Sequence, residues 1–62
     1  FQYYRLRLHG ELVRIEVMPE ELERLATKNV RERLVTELKA LGFLYVTMDL
    51  QGYRRGSLNE VL

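Results

Sequence analysis

Five residues of this chain could do chemistry together: Arg5, Arg7, Arg14, Glu16 and Asp49. Guanidinium is a planar, weakly hydrated, bidentate cation suited to phosphates and carboxylates. Acids set among arginines orient them or share a cation. The spacing therefore names Arg5, Arg7, Arg14 and Glu16 as candidate anion-site residues. Asp49 and Glu16 are the candidate metal ligands. A second stretch, Gly52-Tyr53-Arg54-Arg55-Gly56-Ser57-Leu58-Asn59, sets Arg54 and Arg55 between two glycines. Such a loop could hold an anion through backbone N–H groups and guanidinium, although as a pattern it is loose. Each feature has a plainer reading. The first could be a solvated face of ion pairs, each worth roughly 0.2–1 kcal/mol. The second could be an exposed turn.

The remaining polar residues point to structure. His9 has no sequence neighbour to orient it as a base. Tyr3, Tyr45 and Tyr53 read as amphipathic surface residues, and Lys28 and Lys39 as solvated helix residues. No nucleophile–base pair or metal-ligand spacing is visible.

The elements that must position the arginines follow from period. Residues 3–9 alternate, with Tyr4, Leu6 and Leu8 on one side and Tyr3, Arg5, Arg7 and His9 on the other. Residues 12–18 alternate again, with Val13, Ile15 and Val17 opposed to Leu12, Arg14 and Glu16. Period two over both runs predicts half-buried strands. Gly10-Glu11 suits a two-residue type II′ turn. That turn sets Arg5 opposite Glu16 and Arg7 opposite Arg14. The first pair is favourable, whereas like charges directly opposite destabilise. Glu16 on the diagonal, solvent or a bound anion could offset the clash, and the clash favours the anion-site reading.

Pro19-Glu20-Glu21 is a helix start, with Pro first and acids in the first turn. The apolar stripe Leu22, Leu25, Ala26 then loses phase, and a new one begins at Val30. Asn29 and Glu32 have capping-box spacing. Two helices are expected, over 19–27 and 30–41. Gly42 sits at an αL C-cap, with Phe43 closing against Leu38. Residues 43–50 form the third strand, with Leu44, Val46, Met48 and Leu50 facing the helices. A strand–helix–strand connection makes it parallel to the second. It could lie beside the second strand or the first. The fold class is α/β (α+β): a small two-layer ββααβ module with an antiparallel hairpin, crossover helices and a third strand. The helices are expected over Leu6, Ile15 and Val46. In the tail, Ser57 to Glu60 has capping-box spacing again.

Sixty-two residues make one domain, residues 1–62. A chain this short buries only about 60% of the surface it exposes when unfolded. It has no cysteine and one histidine, which excludes a disulfide and a Cys/His zinc site. The net charge of +1 gives no global field toward nucleic acid or membrane. Eight of the ten basic residues are Arg. No apolar run approaches the roughly 20 residues of a membrane span. The absence of cysteine fits a cytoplasmic setting. The first residue, Phe1, already reads as strand, so the chain is expected to be a piece of a longer polypeptide.

Four ordered motifs are similar to a known family: Arg-Ile-Glu-Val at 14–17, Leu-Gly-Phe at 41–43, Tyr-Val-Thr-Met-Asp-Leu at 45–50 and Gly-Tyr-Arg-Arg-Gly-Ser-Leu-Asn at 52–59. Arg5-Leu6-Arg7-Leu8-His9-Gly10 precedes them. The set resembles the C-terminal end of the LarE-type (ExsB-like) ATP-dependent sacrificial sulfur transferases of the PP-loop ATP pyrophosphatase superfamily. The resemblance implies a parent enzyme that uses ATP and Mg²⁺ to adenylate a pyridinium carboxylate mononucleotide. It then transfers sulfur to that substrate, in nickel-pincer cofactor biosynthesis. It implies an upstream PP-loop domain in the same polypeptide, a phosphorylated small-molecule substrate and a homo-oligomer. By matching motif positions, Arg5, Arg7, Arg14, Glu16, Asp49 and the Arg54–Arg55 loop would hold the substrate's phosphate and carboxylates or a cation. The chain itself has neither a PP-loop nor a cysteine, so alone it is expected to be inactive and to carry no cofactor. The competing expectation is an independent anion- or RNA-binding or protein-interaction module, reading bases on an Arg/Tyr sheet face.

Overall fold

The computed structural model describes residues 3–53. Strand β1 (Tyr4–His9) and strand β2 (Leu12–Val17) form an antiparallel hairpin. Gly10 takes φ 59° while Glu11 stays in the ordinary region, as a type II′ turn demands. The register is the one the alternation predicts, from Tyr4 opposite Val17 to His9 opposite Leu12. A 3₁₀ turn (Pro19–Glu21) leads into helix α1 (Leu22–Leu25), followed by α2 (Lys28–Ala40). Strand β3 (Tyr45–Met48) pairs parallel with β2, giving the order β1-β2-β3. The third strand thus lies beside the second, which the pattern had left open.

The helices and one face of the sheet make two layers. Val13, Ile15, Val17, Leu25 and Leu38 are buried, with Leu22, Val30, Leu34, Phe43, Val46 and Met48 packed around them. Helix α2 ends as the sequence predicts, whereas α1 stops at Leu25, short of the expected 27. Gly42 has positive φ, its N–H reaches the Lys39 carbonyl, and the Phe43 N–H reaches that of Leu38.

Three expectations are corrected. Helix α2 starts earlier than residue 30: Thr27 is the cap residue, extended in backbone, and its carbonyl accepts from Arg31 N–H at 2.8 Å. Asn29 therefore lies inside the helix and the capping box at Asn29 does not form. The Thr27 hydroxyl instead donates to the Arg24 carbonyl at 2.7 Å, which closes α1. Second, β3 is shorter than 43–50. The Asp49 carboxylate accepts from the Gln51 N–H and the Asp49 carbonyl from the Gly52 N–H. That turn ends the strand and leaves Leu50 exposed, while Leu44 is exposed at the other end. Third, the helices do not cover β1. The connection carrying them joins β2 to β3, so they sit over those strands, and the sheet extends about 4.8 Å further to β1. Tyr4 and Leu8 remain 61% and 64% exposed, and Leu6 is exposed too. No described helix is long and apolar enough to cross a membrane.

Candidate functional site

The face of the sheet away from the helices carries the arginines. The hairpin sets Arg7 opposite Arg14, and the parallel pairing sets Thr47 beside Arg14. The clash is answered by Glu16, which is only 2% exposed. Its Oε2 lies 3.5 Å from Arg7 Nε and accepts from Arg14 Nη2 at 3.4 Å. Arg14 Nε in turn lies 4.0 Å from Asp49 Oδ2. One carboxylate thus holds two guanidiniums, and one guanidinium links two carboxylates. Burial of Glu16 removes water that would weaken these attractions, and the ion pairs must offset its desolvation.

Among the described residues, both contacts of Glu16 use the same oxygen. Its Oε1 is buried and has no hydrogen-bond partner among the described residues. A buried acceptor left unmet costs about 1–3 kcal/mol, so it is a place where a ligand's donor would be welcome. The Arg7 and Arg14 side chains keep 19% and 34% of their surface open. The cluster can bind and orient, and it holds no nucleophile.

The other residues sort as follows. Arg5, although directly opposite Glu16, turns away from it. Its Nη2 donates to the Tyr53 hydroxyl at 2.8 Å and its guanidinium carbon lies 4.7 Å from the Tyr53 ring centroid. The expected Arg5–Glu16 pair is therefore replaced by a stack on an aromatic ring, and Tyr53, read from the sequence as a surface residue, is half-buried against Arg5. Asp49 joins the cluster. As to a cation, no group of three His, Cys, Asp or Glu side chains forms among the described residues, and Arg14 reaches both Glu16 and Asp49. Arg54, Arg55 and the Ser57–Glu60 capping pattern lie outside the described residues. His9, Tyr3 and Tyr45 are exposed.

Two curated proteins align with the chain over its full length. The uncharacterized Synechocystis sp. protein slr1717 is 40% identical over 62 residues, which make up 23% of that protein. The pyridinium-3,5-bisthiocarboxylic acid mononucleotide synthase of Lactiplantibacillus plantarum is 37% identical over 62 residues, 22% of its length. The chain thus spans less than a quarter of the curated relatives it matches. No protein-family model matches it. The likeness to the synthase agrees with the LarE-type motifs in the sequence.

Proposed function

We propose that this chain is the substrate-binding C-terminal portion of a LarE-type, ATP-dependent sulfur transferase acting on a pyridinium carboxylate mononucleotide. The observation that carries the reading is the buried Glu16 bracing Arg7 and Arg14, with one oxygen uncommitted. In this reading the two guanidiniums take the substrate's phosphate or a carboxylate, and Glu16 Oε1 accepts from a neighbouring donor. Arg5 adds a third guanidinium on the described strands, and the sequence motif offers Arg54 and Arg55 as further anion-binding residues. ATP and Mg²⁺ belong to an upstream PP-loop domain of the same polypeptide, and the assembled enzyme is a cytoplasmic homo-oligomer. A cation on Glu16 and Asp49 would require Arg14 to move aside.

The full-length protein that carries this chain is the material for the test. With ATP, Mg²⁺ and the mononucleotide, it should transfer sulfur. Arg14→Ala should raise KM for the mononucleotide by about 10- to 100-fold, the range of a charge-assisted hydrogen bond, and leave KM for ATP near its original value. Equal losses for both substrates would remove the arginine face from the substrate site. The other reading, an RNA-binding module, rests on the exposed Tyr45 of β3, which pairs with Leu12 and stands two residues before Thr47, the partner of Arg14. It requires salt-sensitive oligonucleotide binding that Tyr45→Ala weakens.

A further inference from the structure

Glu16 accounts for Arg7 and Arg14 and leaves Arg5 to be explained. Arg5 is the residue directly across from Glu16, yet its guanidinium is held by Tyr53, 48 positions away. The hold is double. The ring lies under the guanidinium, with 4.7 Å to its centroid, and the hydroxyl accepts from Nη2 at 2.8 Å. Stacking and hydrogen bonding together fix both the plane of the guanidinium and its rotation within that plane.

Tyr53 is itself fixed. After β3 the chain keeps following β2: Asp49 N–H donates to the Ile15 carbonyl at 2.9 Å, and Tyr53 N–H donates to that of Val17. The intervening turn is pinned by the Asp49 carboxylate. It passes so close to β2 that a Cβ on Gly52 would sit 2.7 Å from the Val17 oxygen, at φ 80°. Only glycine fits both the angle and the approach. The Asp49–Tyr53 segment is thus a strap, laid along the end of β2, that presents one ring to β1.

We propose that Tyr53 is a positioning residue for anion binding: it holds Arg5 ready beside the Arg7–Glu16–Arg14 cluster. The proposal rests on the anion-site reading and adds a residue outside the arginines to it. A long side chain loses much rotamer freedom when it clamps a ligand. A guanidinium already stacked has lost that freedom before the ligand arrives, so binding is tighter.

The test uses the full-length protein, with inorganic phosphate and the mononucleotide as probes, and compares Tyr53→Ala, Tyr53→Phe, Arg5→Ala, the double variant and Arg7→Ala. Tyr53→Ala should weaken binding about tenfold and Tyr53→Phe about threefold, because the ring stays and only the hydroxyl is lost. Arg5→Ala should match or exceed Tyr53→Ala, and the double variant should be no worse than Arg5→Ala. Measured as affinity on variants whose denaturation midpoints show them folded, this non-additivity means that Tyr53 acts on binding through Arg5. The Arg5 Nε–H resonance should also move when the ring is removed, while kcat at saturating substrate changes little. If Arg7→Ala weakens binding but Tyr53→Ala does not, or if the Arg5 and Tyr53 losses add, the positioning role is overturned and the anion site stands. If Arg7→Ala has no effect either, the anion site and this proposal fall together.

Discussion

Strands β1 and β2 share one alternating pattern and meet opposite fates. In β2 the apolar residues Val13 and Val17 are 0% and 1% exposed, and on its other face Glu16 is nearly as buried. In β1 the leucine on the helix side, Leu8, is largely exposed. A glutamate is therefore better sheltered than a leucine on the neighbouring strand. Alternation says which residues share a face, and topology says which part of a face is covered. The helices lie over β2 and β3 because their connection joins those strands. On the other face, ion pairs close around Glu16, which sits in the central strand.

That contrast can be broken or sharpened by substitution, with chemical denaturation of the chain as the readout. Glu16→Gln should have the largest effect, a loss of about 3 kcal/mol, because it leaves Arg7 and Arg14 opposed with no carboxylate between them. Part of the loss should return in high salt, which screens the remaining repulsion. Val13→Ala should cost about 2 kcal/mol, from the lost burial and the cavity left behind. Gly52→Ala should cost about 1–2 kcal/mol through the strained angle and the clash with the Val17 carbonyl. Leu8→Ala should change stability by less than about 0.5 kcal/mol, as for an exposed site. A Leu8→Ala loss as large as that of Val13→Ala would mean that the β1 face is covered in solution.

What was legible in the sequence was local. Period two, Gly10 and the turn length fix the hairpin register, so the opposition of Arg7 and Arg14 could be read from the residues. Gly42 and Phe43 announce the end of α2 in the same way. Three things were not legible. The neighbour of β3 depends on packing over the whole crossover. The start of α2 depends on Thr27, whose hydroxyl serves α1 and whose carbonyl serves α2, whereas Asn29 offers the more familiar spacing. The Arg5–Tyr53 stack joins the two ends of the described chain. Its one sequence signal is the Gly-Tyr step after Asp49, a glycine where the chain must pass close and an aromatic beyond it. Glu16 was legible as a member of the arginine face, but its burial and its choice of Arg7 over Arg5 were not. The choice follows from Tyr53 taking Arg5, and the burial from the place of β2 between β1 and β3.

The Arg7–Glu16–Arg14 cluster is proposed as a binding site for an anionic ligand. The most direct measurement is calorimetric titration of the full-length protein with the pyridinium carboxylate mononucleotide, native against Arg7→Ala. The account predicts saturable binding that weakens by at least about tenfold in the variant. Unchanged affinity in a folded Arg7→Ala protein would contradict it, and the cluster would then be a structural ion-pair network.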